Sequence, residues 1–247
     1  MSGFETVVFE KRDSIAYVSL NRPEVLNVYN IRMRDELFEV LTAINDDPEV
    51  LVAVFSGVGD RAFCAGADLT EFLSAPSPVV ARRVRWERDV WGLFLSLGQP
   101  LIAALHGYVL GSGIEIALCC DIRIASEDAQ FGVPEVGLGI VPAAGATQTL
   151  SRTIGQAKAL ELMLTGRRIS AEEAADIGLV NRVVPKDRLL PTVESVARQI
   201  SLLDPVAVRS AKQAVMRGLD LSLSEGLRLE KRLAVPLLQP TPSDAWQ

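Results

Sequence analysis

Apolar and polar residues alternate over Val7–Glu10 and again over Ile15–Leu20, with polar Lys11 to Ser14 between them, which predicts a β-hairpin. Asn21-Arg22-Pro23 breaks the pattern. From Ile31 to Asn45, Met33, Leu37, Val40, Leu41 and Ile44 recur at helical spacing. Val50–Phe55 is a continuous apolar strand ended by the turn Ser56-Gly57-Val58-Gly59. Val79 to Leu97 reads as a helix, and Leu101–Leu105 as another buried-type strand. Three glycines crowd into Gly107–Gly113, and a helix over Ile114–Cys120 opens directly out of them. A brief strand at Ile122–Ala125 precedes a Gly/Pro-punctuated loop over Phe131–Gly145. Helices follow at Thr147–Ile154 and Gly155–Thr165. Ser170-Ala171-Glu172-Glu173 is a capping box that starts a helix running to Gly178. Val180–Val184 is the last strand, and Pro191 onward is helical until Pro236, Pro240 and Pro242. Strands alternating with helices indicate an α/β core with a helical tail.

Composition narrows the class. With 247 residues, 49% hydrophobic and 23% charged, the chain is an ordinary globular one, long enough to bury a sizeable core. A net charge of −6 argues against a general phosphate-backbone binder, although most of the cations are Arg and local anion patches stay open. Cys64, Cys119 and Cys120 cannot build a disulfide framework, and the single histidine removes most zinc sites, so no metal is expected. The opening MSGFETVVFEKRDS lacks the apolar run of a signal peptide, and no stretch approaches the roughly 18 apolar residues of a membrane span. The expectation is a soluble cytoplasmic protein without membrane or nucleic-acid partners.

Three segments carry candidate chemistry. In Gly111-Ser112-Gly113-Ile114-Glu115, glycines between a strand and a helix let backbone approach a ligand, and the helix start offers unpaired N–H groups to an oxyanion. Glu115 sits in the first turns of that helix; taken alone, the segment also fits a Gly-rich turn with a solvated Glu. Phe63-Cys64-Ala65-Gly66-Ala67-Asp68-Leu69 is a second place where backbone N–H groups can face a ligand, with Cys64 read as a small core residue. In Phe131-Gly132-Val133-Pro134-Glu135, a carboxylate stands in an apolar loop. Burial there raises its pKa and lets it hold a proton, the alternative being an ion pair with an arginine. If they converge, the carboxylates of Glu115 and Glu135 can split acid and base roles.

Taken in register, Asn21-Arg22-Pro23, Phe63 to Leu69, His106-Gly107-Tyr108-Val109-Leu110-Gly111-Ser112-Gly113, Cys120-Asp121, Phe131 to Glu135 and Gly178-Leu179-Val180 resemble the enoyl-CoA hydratase/isomerase (crotonase) superfamily, from about residue 5 to about residue 230. The resemblance implies a spiral of ββα units over residues 1–190 and a helical C-terminal trimerisation region over 191–247, in a homotrimer or homohexamer. It implies an acyl-CoA substrate, with CoA as part of that substrate and no separate cofactor. The backbone N–H groups of Ala67 and Ser112 would form the oxyanion hole. Glu115 would position and deprotonate water, and Glu135 would protonate the α-carbon of a 2-enoyl-CoA. Val25, Leu26, Asp68, Leu69 and Thr70 fall where the family contacts the CoA portion. A Δ3-Δ2 isomerase or a dienoyl-CoA hydratase is the alternative; retention of both glutamates favours hydration and stands against a non-catalytic, RNA-binding member.

Arg82, Arg83, Arg85 and Arg88 fit either the CoA phosphates or a solvated helix face. His106 reads as structural, and Trp86, Trp91 and Phe94 as core. The chain departs from the family at several places. Ser112 stands for the usual Gly and Thr149 for the usual Arg, the loop Pro142 to Thr147 is poorer in Gly, and the chain stops at QPTPSDAWQ where relatives add a helix. That short tail leads to the expectation of a more open pocket and a bulkier or cyclic acyl group.

Overall fold

The hairpin forms as its alternation requires. Strands β1 (Val7–Arg12) and β2 (Ile15–Leu20) pair antiparallel, with Asp13 left-handed at the turn. The computed structural model describes residues 3–71 and 87–238. Helix α1 (Ile31–Asp46) is capped by Asn30, whose side chain accepts from the Met33 N–H at 2.8 Å, and it buries the predicted stripe of Met33, Leu37, Val40, Leu41 and Ile44. On the same helix the buried Glu36 carboxylate accepts the N–H groups of Glu5, Thr6 and Val7 and the Thr6 hydroxyl, pinning the start of β1.

A repeating unit then builds the core. The strand pairs are β3 (Val52–Gly57) with β4 (Ala62–Cys64), β5 (Leu101–Leu105) with β6 (Tyr108–Leu110), and β7 (Ile122–Ser126) with β8 (Gln130–Gly132). The first member of each pair joins a six-stranded sheet in the order β1-β2-β3-β5-β7-β10, parallel apart from the opening hairpin. The second member joins a four-stranded sheet in the order β4-β6-β8-β9. Strands β9 (Ile169–Ser170) and β10 (Arg182–Val184) complete the two edges. Helices α2 (Val90–Ser96), α3 (Ser112–Cys119) and α4 (Ala146–Ile154) follow the three pairs, so the chain advances as a spiral of ββα units.

The continuous apolar strands are buried on both faces, as parallel strands between layers must be. Ala53, Phe55, Leu101, Ala103 and Leu105 face the main core with α1 and α3. Their neighbours Val52, Val54, Ile102 and Ala104, offset by the two-residue period, pack against Leu189, Val193 and Ala197 of α7 (Leu189–Ser201). Between these lie α5 (Gln156–Thr165) and α6 (Ala171–Asp176). The predicted helical tail consists of three helices, α7 being followed by α8 (Pro205–Gly218) and α9 (Leu223–Ala234), which pack on each other.

Two local expectations need correction. The loop drawn over Phe131–Gly145 opens with β8 and contains a short 3-10 turn at Glu135–Leu138. The capping box at Ser170 is only half made: Ser170 Oγ accepts from the Glu173 N–H, but the Glu173 carboxylate is drawn to Arg167 at 2.5 and 3.1 Å. A charge-assisted two-pronged contact outcompetes the backbone N–H it would have satisfied. Both halves form instead at Ser222 and Glu225, which cap α9.

Candidate active site

Three separate segments meet at the turn between β6 and α3. Gly111 turns there with φ 50°, and its N–H donates to the Gly132 carbonyl at 3.0 Å. A Cβ at Gly111 would lie 2.7 Å from Glu135 Oε1 and 3.5 Å from Gly66 Cα, so the Glu135 carboxylate and the 63–71 loop both close on this turn. Helix α3 is apolar nearly all round and every one of its residues is buried. Gly113 seats it against β4: a Cβ there would stand 2.2 Å from the Cys64 carbonyl oxygen. The N–H groups of Ser112 and Gly113 therefore face the turn with no carbonyl four residues back in the helix, at its positive end.

A second donor lies on the 63–71 loop. Tyr29 N–H bonds the Gly66 carbonyl and Asp68 N–H bonds the Tyr29 carbonyl, both at 2.8 Å, a parallel bridge that turns the N–H of Ala67 away from Tyr29. Asn27 fixes the residues that lead into this loop, and no expectation from the sequence had singled it out. It is buried and left-handed, with φ 56°. Its Nδ2 donates to the carbonyls of Val58 at 3.0 Å and Ala62 at 2.8 Å, and its Oδ1 accepts the Arg22 N–H at 2.8 Å. Arg22 in turn donates to the Val28 carbonyl and to Asp68, each at 2.9 Å. The Asn-Arg-Pro break is thus tied through Asn27 and Asp68 to the loop carrying Ala67.

The two carboxylates share the turn but not its environment. Glu115, 4% exposed, sits one turn into α3. Its Oε1 accepts the N–H groups of Ala144 at 2.9 Å and Ala146 at 3.4 Å, at the uncapped start of α4, where Gly145 adopts φ 110°. Glu135 opens the 3-10 turn, and its Oε2 is buried with no hydrogen-bond partner among the described residues. Burial pushes the Glu135 carboxyl above its ordinary value; its own N–H pulls it back, and the charge of Glu115 adds to the rise. One carboxylate is braced by two backbone donors, while the other is disposed to keep a proton.

A model of the enoyl-CoA hydratase/isomerase family matches residues 10–241. The chain belongs to that family. The short-chain-enoyl-CoA hydratase of Clostridium acetobutylicum is 42% identical over 225 residues, covering 91% of this chain and 86% of its own. The crotonyl-CoA hydratase of Syntrophomonas wolfei is 40% identical over 228 residues, covering 92% and 87%. A crystal structure of an enoyl-CoA hydratase from Bacillus anthracis superposes with a TM-score of 0.87 at 40% identity, covering 92% of this chain and 89% of that one.

The remaining residues expected from the crotonase resemblance fall in two places. Val25 and Leu26 lie on a 3-10 turn (Pro23–Val25) whose cap, Leu26, is left-handed, and Leu26 C=O accepts the Ala65 N–H. Asp68, Leu69 and Thr70 start the next 3-10 turn, where Asp68 Oδ1 accepts both the hydroxyl and the N–H of Thr70. Val25 and Leu69 are exposed, the latter at 54%. Arg88 sits between Asp35 and Glu39 at 3.6 and 3.5 Å, which is the solvated-face arrangement; Arg82, Arg83, Arg85 and Trp86 lie outside the described residues, as does the tail after Leu238. Trp91 and Phe94 pack as core, against Tyr29 and Phe55. Cys64 is sealed, and burial pushes its thiol up to about 12, which keeps it inert. Thr149 bonds its hydroxyl to the Gly145 carbonyl within its own helix turn. Among the described residues no group of His, Cys, Asp and Glu has the arrangement of a metal site, and no helix is long and apolar enough to cross a membrane.

Proposed function

We propose that this protein adds water across the double bond of a 2-enoyl-CoA thioester. The observation that carries the reading is the pairing of Glu115 and Glu135 on one turn in unlike environments, beside the free N–H groups at the start of α3. The Ala67 and Ser112 N–H groups donate to the thioester oxygen as negative charge moves onto it. Glu115 takes a proton from water as its oxygen bonds the β-carbon, and Glu135 gives its proton to the α-carbon, so the alkene is saturated with no change of oxidation state overall. The two carboxyls end with their protons exchanged, and solvent resets them. Backbone of Val25, Leu26, Asp68, Leu69 and Thr70 lines the path for the CoA portion.

The curated relatives named as short-chain and crotonyl-CoA hydratases support a short unsaturated acyl group as first substrate. A broad exposed apolar face on the C-terminal helices, including Leu203, Val206, Val215, Leu219, Leu223 and Leu227, supports assembly with further copies as a homotrimer or paired trimers. The test is turnover of crotonyl-CoA beside longer, branched and cyclic enoyl-CoAs, with product masses. A water adduct lost in both Glu115→Gln and Glu135→Gln is the expected result. A product of unchanged mass with a moved double bond, surviving Glu115→Gln, makes the enzyme an isomerase instead.

A further inference from the structure

Glycine is required on either side of Ser112 and not at it. Gly111 needs φ 50° and leaves room for the Glu135 carboxylate, and Gly113 must let α3 approach the Cys64 carbonyl. Ser112 lies between them as the first residue of α3, with no positive φ, so a side chain is sterically allowed. In an α-helix each Cα–Cβ bond tilts toward the N-terminus. A side chain on the first residue therefore projects past the helix end, on the side where the unpaired N–H groups point.

The Ser112 hydroxyl has two further properties. It forms no hydrogen bond among the described residues, although the residue is only 8% exposed. Nor is it sealed: the buried side-chain atoms left without a partner among those residues are His106 Nε2, Glu135 Oε2 and Arg209 Nε. The small exposed area of Ser112 thus includes its oxygen. An unpartnered hydroxyl at the mouth of a helix N-terminus, one residue from the turn that holds Glu135, is placed to donate outward.

We propose that the Ser112 hydroxyl is a third donor to the acyl-CoA thioester oxygen, acting beside the backbone N–H groups of Ala67 and Ser112. This rests on the acyl-CoA reading above and assigns a catalytic role to a side chain, where that reading used only the backbone of the same residue. No covalent step is added: the O–H donates as the oxygen gains charge and keeps its proton throughout.

Ser112→Ala and Ser112→Gly both keep the backbone N–H and remove the hydroxyl, the second together with its Cβ. One preorganised donor in such a hole is worth about 100-fold or more in kcat, and a rotatable hydroxyl less. Each variant is expected to lose roughly 10-fold in kcat on crotonyl-CoA, with KM within about threefold and an unchanged melting temperature. A second readout is the thioester carbonyl stretch of bound, isotope-labelled crotonyl-CoA, followed by infrared difference spectroscopy in a Glu115→Gln background. Removing a donor weakens polarisation, so the band should move to higher wavenumber in the Ser112→Ala double variant. A kcat within twofold together with an unmoved band overturns the proposal. Loss in Ser112→Ala with full activity in Ser112→Gly also overturns it, because the cause would then be the methyl group. A band that moves while the parent enzyme turns over no enoyl-CoA supports the third donor and sinks the hydration reading.

Discussion

Gly113→Ala tests whether the site is set by the seating of one helix. The added methyl would stand 2.2 Å from the Cys64 carbonyl oxygen and 3.0 Å from its carbon, backbone atoms that cannot swing aside. Restoring ordinary contact requires the start of α3 to retreat by roughly 1 Å, since van der Waals contact begins near 3.4 Å. Overpacking of this kind costs about 2–3 kcal/mol, which for a chain of this size lowers the melting temperature by roughly 5–10 °C. The same retreat carries the Ser112 N–H away from Ala67 and, on the proposed mechanism, Glu115 away from the water it would activate. A misplacement of about 1 Å typically costs about 100-fold in rate. Thermal melts and crotonyl-CoA turnover on the purified variant read both effects. Gly111→Ala should cost both stability and activity, because its methyl meets the end of Glu135 at 2.7 Å and an alanine is strained at φ 50°. A Gly113→Ala enzyme melting with the parent and turning over within twofold of it would refute the view that close packing on β4 fixes the donor.

Asn27→Ala strips two carbonyls and one N–H of their buried partner and places Ala at φ 56°. At about 1 kcal/mol per hydrogen bond, a loss of roughly 3–4 kcal/mol is expected in urea unfolding, with KM for the CoA ester rising as the 63–71 loop loosens. Burial pushes the Glu36 carboxyl up, but the N–H groups of Glu5 and Thr6 and the Thr6 hydroxyl outweigh it, so its folded pKa lies below the unfolded value. The stability this contributes is full above about pH 4.3 and fades as pH falls through the folded pKa. The gap between parent and Glu36→Gln in unfolding free energy should therefore narrow on acidification, and a constant gap counts against the linkage. On the proposed mechanism Glu135 must be protonated to deliver its proton, so kcat/KM for hydration should fall as pH rises through its raised pKa. A profile whose basic limb survives Glu135→Gln unchanged assigns that limb to another group.

The large sheet was legible because its strands are long apolar runs bounded by turns, and α1 because five buried positions repeat at helical spacing. The small sheet was not. Ala62-Phe63-Cys64, Tyr108-Val109-Leu110 and Gln130-Phe131-Gly132 are three residues each, too short for a period of two to register, and they are strands only because they lie side by side after each turn of the spiral. The candidate site divides the same way. Glu115 and Glu135 were visible as carboxylates in unusual company, yet what distinguishes them lies far off in the chain. Glu115 is braced by N–H groups about 30 residues away, and the approach of Glu135 to Gly111 depends on a turn that only the second sheet creates. Asn27 carried one usable signal: an Asn four residues after Pro23, in a short break between strand and helix, is a residue that tolerates the left-handed conformation. Its partners Val58 and Ala62 could not have been read, because they are backbone carbonyls and carry no residue type. Ser112 shows the converse. Between two glycines it looks like an interruption of a Gly-rich turn, but the packing at Gly111 and Gly113 shows that the turn needs glycine only at its flanks. The middle position is free to carry a functional group, and the hydroxyl it carries stands at the mouth of the helix.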